Sequence, residues 1–497
     1  MSLVLLFALP GVAGIALWLV RPSAQASRRA SLLVAVAILL FALWLLDATS
    51  GGAVLVHAFG GWRPPFGIAF AADRLSALFV ALHAVLLLMA LAALRPETHG
   101  DEVVRRAHPL LFVLSLGLFG SFLTADLFNL FVMFELVLVA SYLVLQVPGT
   151  RRSLAATLPT VVINLVASAV FLAGLGILYA IGGSTNIADL SRELPGAPAE
   201  LRRIALVMLI LAFATKAALV PLCFWMPATY PTLSAPLAAL FAGIMTKLGV
   251  YALLRIMPLV ALDPLLPQLL VWAGGISALL GVLAALSQYE MRRLLAFHSV
   301  SQVGYIVMAL GLGSSAGIAA AIFFTLHHSL VKSALYLIAD QLERRNATRD
   351  LRQMDFRLAS GTGLVGCFVV AGFSLVGMPP FSGFFGKLGV FQAAFESAAW
   401  LGLVLLVLAS VLTLASMLKI WSFAFQQTPR EALDSPNSRS GMQPLFAMLC
   451  LILGLGFAAG SVQQYTMAAA DALLESSDYN EAVLSAAGRP APAPELR

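Results

Sequence analysis

Long apolar runs dominate this chain, and short polar or Gly/Pro-rich joints punctuate them. Runs long enough to cross a bilayer fall near 3–20, 30–47, 74–94, 108–124, 126–147, 154–181, 204–226, 233–257, 267–287, 295–312, 316–340, 360–396, 400–425 and 441–465. A helix needs about twenty apolar residues to span the hydrocarbon core, so the pattern predicts an all-α polytopic membrane protein of about fourteen helices. Two runs are interrupted. Pro221 falls inside the seventh and Pro379-Pro380 inside the twelfth. Proline lacks an N–H and crowds the preceding turn, so each should break its helix. Broken backbone at membrane depth is tolerated only where it is buried in protein or lines a wet cavity.

The breaks recur at a fixed offset. Counting five helices from His108, the fourth is broken at Pro221; counting five from about 267, the fourth is broken at Pro379-Pro380. An odd number of helices makes the second unit enter from the opposite side, the mark of an inverted repeat with its site near the breaks. The expected organisation is therefore three helices in 1–95, a first unit in 108–257, a second in 267–425, a last helix in 441–465 and a polar tail in 466–497 that frays.

Charge adds orientation. Alternate joints carry Arg21, Arg28 and Arg29; Arg95, Arg105 and Arg106; Arg151 and Arg152; Arg292 and Arg293; Arg344, Arg345, Arg349, Arg352 and Arg357; and Arg430 and Arg439. The opposite joints hold mainly Arg63, Arg192, Arg202, Arg203 and Arg255. The positive-inside rule puts the first set in the cytoplasm and both termini outside, in a cell (inner) membrane. The stretch Met1–Val20 has no basic residue ahead of it, so it reads as the first membrane helix and not as a cleaved signal, despite Ala24-Gln25-Ala26. Composition agrees with the class: of 497 residues 60% are hydrophobic and 11% charged, with a mean hydropathy of +0.94. The net charge of +6 then reports loop placement more than an anionic partner. Cys223, Cys367 and Cys450 have no metal-ligand or disulfide spacing.

Against that apolar background a few ionisable residues stand out. Lys216 and Lys247 lie deep in apolar sequence on either side of Pro221, Pro227, Pro231 and Pro236. A charge at that depth costs about 2.5–3.5 kcal/mol on insertion scales and is a functional-site hypothesis by default. Glu135 sits mid-helix and needs a nearby cation to stay ionised; Lys216, in the same five-helix unit, is its expected partner. Bringing the two together favours both charged forms, and parting them favours proton release. Lys247 has no partner in its own unit's sequence and would depend on water or on Lys216. His328 and Lys332 are four apart and share a helix face; histidine titrates near neutrality and suits a proton shuttle. His327 points about 100° away and reads as structural. Lys387 follows the second break. His298 could link the halves, and His83 reads as a satisfied core histidine. Lys419 and Asp126, near helix ends, read as interfacial. Gly361-x-Gly363-x-x-Gly366 fits a dinucleotide pattern by letters, but it enters a membrane helix with no strand before it, so small-residue packing explains it better. No Walker A, haem, iron–sulfur or zinc pattern occurs. No cofactor is expected, and whether a metal ion binds the protein is left open.

Five stretches together carry a resemblance. DLFNLFVMFELVLVASY (126–142), the Lys216–Lys247 stretch, MRRLLAFHSVSQVGY (291–305), HHSLVKSALY (327–336) and GFSLVGMPPFSGFFGK (372–387) resemble the proton-translocating antiporter superfamily. That superfamily includes antiporter-like subunits of respiratory complex I and membrane-bound hydrogenases, and large subunits of Mrp-type cation/proton antiporters. The FNLFVMFE and FHSVSQVGY wordings and the lysine at 387 are most similar to the Mrp D-subunit family. The resemblance covers roughly 70–425 and implies fourteen helices, paired inverted five-helix units and a mid-membrane polar axis. Its motifs assign Glu135, Lys216, Lys247, His328, Lys332 and Lys387 to a proton relay. It also implies a secondary transporter subunit with no enzyme activity of its own, working with other subunits and exchanging Na⁺ or K⁺ for H⁺. The alternative it leaves is a proton-pumping subunit of a quinone oxidoreductase or hydrogenase.

Overall fold

Helices in this chain are sorted by which side they bury, and the sorting runs opposite to that of a water-soluble protein. The helix Arg151–Gly182 exposes Leu154, Leu158, Val162 and Leu165 and buries Ser153, Thr157, Thr160, Asn164 and Ser168. Lipid offers backbone and side chains no hydrogen bonds, so polar groups pack inward and the outer stripe is aliphatic.

The computed structural model describes residues 3–355, 363–426 and 442–486. In chain order its main helices are α1 (Leu3–Val20), α2 (Ala24–Ser50), α3 (Arg74–Ala93), α4 (Asp101–Leu123), α5 (Leu127–Leu145), α6 (Arg151–Gly182), α7 (Ala199–Ala217) and α8 (Ala235–Arg255). They continue as α9 (Leu265–Leu286), α10 (Met291–Gly311), α11 (Ser315–Asn346), α12 (Leu364–Val376), α13 (Ser382–Glu396), α14 (Trp400–Phe425), α15 (Met442–Phe457) and α16 (Ala459–Glu475). Among the described residues eleven helices are long and apolar enough to cross a membrane, or twelve if the bent pair α15–α16 is one span.

The centre of the bundle is α8, α10 and α11. Every residue of α8 is buried, and α11 is packed by α8, α10, α12, α13, α15 and α16. Meanwhile α1, α2, α6, α9 and α14 turn much of their surface outward. Close approach depends on missing side chains at two points. A Cβ at Gly249 of α8 would lie 2.6 Å from the Phe213 carbonyl oxygen of α7, and one at Gly243 would lie 2.6 Å from Ser333 Oγ of α11.

Both interrupted runs end in a left-handed residue. α7 stops at Ala218 (φ 61°), and the Trp225 indole N–H joins the Ala218 N–H on the Thr215 carbonyl, at 2.9 Å. α12 stops at Gly377 (φ 91°), three residues before Pro380, and the chain becomes helical again at Ser382. The run expected over 204–226 therefore ends at Ala217, with only a short helix, Trp225–Thr229, beyond it.

Three features depart from the sequence-based expectation. A short antiparallel hairpin, β1 (Leu55–Ala58) and β2 (Ala69–Ala72), lies between α2 and α3; four-residue strands leave too little alternation to read. The last helix, expected over 441–465, ends at Phe457, and the chain turns by 77° into α16. The tail is helical through Ser485, because Thr466, Ala469, Ala470 and Leu473 bury one face of α16 and the Tyr479 ring meets Arg255 at 5.0 Å. Of the glycine motif, Gly363 caps α12 in a left-handed conformation. Gly366 faces open space, so helix packing is not its role. Gly361, Arg357, Arg430, Arg439 and the end of the tail lie outside the described residues.

Candidate site: a buried axis of lysines and histidines

The axis begins at α5. Glu135 is half-buried and accepts a hydrogen bond from Ser168 Oγ on α6. One turn earlier on α6, Asn164 accepts from Lys216 Nζ, through its side-chain oxygen at 3.1 Å and its backbone oxygen at 3.5 Å. Glu135 and Lys216 form no direct ion pair; Asn164 and Ser168 stand between them, i and i+4 on one face. The carboxylate still acts electrostatically on the ammonium. Beside Lys216 is a cavity of about 20 Å³ lined by Thr160, Asn164, Phe241, Met245 and Leu248 among others, room for about one water.

Lys247, fully buried on α8, donates to the Ala242 carbonyl at 2.8 Å. Its helix packs against α11, which carries His328 and Lys332, so Lys247 sits where the two halves of the chain meet. Lys332 donates to the Leu295 carbonyl of α10 at 3.0 Å. His328 is fully buried, and neither ring nitrogen has a partner among the described residues. His298 shares a hydrogen bond of 2.7 Å with Ser416 Oγ of α14, and the charges of Lys332 and Lys387 both act on it. Lys387 donates to the Val376 carbonyl at 2.8 Å and to Ser410 Oγ at 2.9 Å, with its Nζ 5.3 Å from the Tyr305 ring centroid. Val376 is the last residue of α12, so the lysine of the resumed helix satisfies a carbonyl that the break set free.

Two further buried histidines are anchored. His83 bonds Ser115 Oγ at 2.9 Å and His327 bonds Ser382 Oγ at 2.9 Å. Lys419 donates to the Leu286 and Gln288 carbonyls at 2.7 and 2.8 Å, closing the end of α9. Asp126 is buried at the N-cap of α5, at the helix end, accepting from Asn129 N at 2.7 Å and Thr185 Oγ1 at 2.6 Å. Among the described residues no group of three or more His, Cys, Asp or Glu side chains could hold a metal ion.

Two buried arginines behave differently. Arg255 forks onto Asp73 at 2.7 and 2.8 Å and also reaches Ser76 and Tyr251. Arg292 forks onto Glu343 at 2.7 and 2.6 Å and donates to the Leu233 carbonyl. Sequence reading assigned both to joints. It also passed over Asn164 and Ser168, although Thr157, Thr160, Asn164 and Ser168 recur at helical spacing in an otherwise apolar run, a signal open to inspection.

Broken helices enclosed in a bundle, with titratable groups inside it, define a polytopic membrane protein of the transport class. Residues 124–413 match the family model described as NADH:quinone oxidoreductase/Mrp antiporter, TM, and the chain belongs to that family. It is 36% identical over 458 residues to the D-subunit of the Na(+)/H(+) antiporter of Alkalihalophilus pseudofirmus, covering 90% of this chain and 92% of the relative. To the corresponding D-subunit of the Bacillus subtilis Na(+)/H(+) antiporter it is 34% identical over 432 residues, covering 86% and 87%. A chain in the structure of the Mrp complex from Dietzia sp. DQ12-45-1b superposes with a TM-score of 0.85 at 29% identity, covering 97% of this chain and all of that one.

Proposed function

We propose that this chain is the proton-translocating subunit of a multisubunit monovalent cation/proton antiporter, exporting Na⁺ or K⁺ in exchange for H⁺. One observation carries the reading: Lys216, Lys247, Lys332 and Lys387 are buried, and their hydrogen bonds go to neutral oxygens of Asn164, Ala242, Leu295, Val376 and Ser410. A buried ammonium without a carboxylate in contact has little to hold its proton, and lysine exchanges protons readily under those conditions. Protons would pass along Glu135, Lys216, Lys247, His328, Lys332 and Lys387, with His298 linking the last two and trapped water filling the intervals.

The eleven spans, the bent pair and the two interrupted runs together account for fourteen crossings, arranged as inverted units in 108–257 and 267–425. Arg21, Arg105 and Arg106 line one cleft of ≈ 690 Å³ together with Gln146, which supports a common, cytoplasmic face for those joints and external termini in the cell membrane. The D-subunit relatives favour an antiporter assembly over a quinone oxidoreductase. Partners would be the other antiporter subunits.

The test is Lys216→Ala in the intact complex reconstituted in vesicles, reading cation-driven proton movement. At least a tenfold loss is expected with the complex assembled; undiminished exchange would refute the relay.

A further inference from the structure

Helix α10 forms one wall of the axis between Lys332 and Lys387, and its facing stripe is Leu295, His298, Gln302 and Tyr305, spaced three or four apart. Lys332 meets this stripe at the Leu295 carbonyl and Lys387 meets it at the Tyr305 ring. Ten residues of helix separate those levels, roughly 15 Å at 1.5 Å per residue. That is too far for a proton to pass directly. His298 covers the lower part, anchored through Nε2 to Ser416 and leaving Nδ1 without a partner among the described residues. Above it no titratable group of the stripe remains until the Tyr305 hydroxyl, which is itself turned to the Leu406 carbonyl at 2.6 Å.

Gln302 occupies the interval. It is fully buried, and among the described residues neither its amide oxygen nor its amide nitrogen has a partner. Leaving a buried polar group unsatisfied is unfavourable, and here both arms of one amide are left. A packing role alone would be met by methionine or leucine of similar volume without that cost. An amide offers a donor and an acceptor on one rigid plane, which suits a group that must hold water and pass its orientation along.

We propose that Gln302 is a positioning residue of the proton route, holding water between the His298–Lys332 level and Lys387. The inference rests on the relay reading given above. It adds a residue that never changes its own charge and acts only through the water it orients.

The experiment compares Gln302→Met and Gln302→Asn with the parent and with Lys216→Ala, all as intact complex in vesicles, reading cation-driven proton flux and thermal unfolding. Methionine removes both polar arms at nearly constant shape. It should leave assembly and unfolding temperature equal to or above the parent while cutting flux at least tenfold. Asparagine keeps both arms of the amide, one methylene shorter, and should retain flux within threefold. Flux within twofold of the parent in Gln302→Met would overturn the assignment, as would its failure to assemble, or a loss of flux only in proportion to assembled complex. If Gln302→Met is inert while Lys216→Ala abolishes exchange, only the Gln302 assignment falls. If both are inert, the relay falls with it.

Discussion

Two sets of cations are buried in this bundle, and their partners differ in kind. Arg255 and Arg292 each lay a guanidinium fork on a carboxylate, Asp73 and Glu343, with further donors satisfied by Ser76, Tyr251 and the Leu233 carbonyl. The lysines of the axis meet amide, carbonyl and hydroxyl oxygens and no carboxylate oxygen within ion-pair reach among the described residues. Arginine is always protonated and its planar fork suits a fixed pair. Lysine can give up its proton where arginine does not. Placement follows the same division: the arginine pairs tie down the ends of α8 and α10, and the lysines line the interior. Fixed charge therefore ties the helix ends together, and the cations without a carboxylate partner are kept inside.

The comparison is broken most forcefully at the arginine pairs. Asp73→Asn leaves the Arg255 guanidinium buried without its counter-charge, and removing one partner of such a pair costs about 3–5 kcal/mol. Thermal unfolding of the complex should show that loss, and adding Arg255→Met should recover most of it; an unchanged unfolding temperature in Asp73→Asn would mean the pair is not structural. A smaller effect is expected at Ser410, one of two acceptors for Lys387. Ser410→Ala should cost about 1 kcal/mol or less in stability and alter proton flux more than that figure suggests, since it changes how the Lys387 ammonium is solvated. The smallest effect is the acid response of Asp73. Burial pushes its carboxyl up, but the charge of Arg255 and hydrogen bonds from Arg255 and Ser76 outweigh it and hold the group below its ordinary value of 3.8. A depressed carboxylate contributes stability in full above that value and loses it as pH falls further. Parent complex should therefore lose stability below about pH 4 in a component that Asp73→Asn lacks, read by unfolding at stepped pH.

Sequence alone exposed the breaks and the axis lysines because each violates a strong rule: a proline inside an apolar run, a cation at membrane depth. Such exceptions need no tertiary knowledge. Gln302 is neutral and carries no mark of depth; Asn164 and Ser168 are neutral too, marked only by their polar spacing along α6, and the roles of all three are set by neighbours that the sequence does not place. The same reason hid the arginine pairs. Arg255 stands at the end of an apolar run, as interfacial arginines do, and its partner Asp73 is 182 residues away. The Glu135–Lys216 pairing was inferred from charge alone, which cannot show that an amide and a hydroxyl on a third helix intervene. The bend after Phe457 falls in the window FAAGS, where small residues permit helix or turn equally and packing onto α11 decides.

The difference between the two kinds of buried cation is tested most directly at Lys332. Lys332→Met in the intact complex removes an ammonium that no carboxylate holds. Unfolding temperature should stay the same or rise, and cation-driven proton flux in vesicles should fall at least tenfold. A complex destabilised in step with its lost flux would show that Lys332 is a structural cation like the arginines, and would contradict the account.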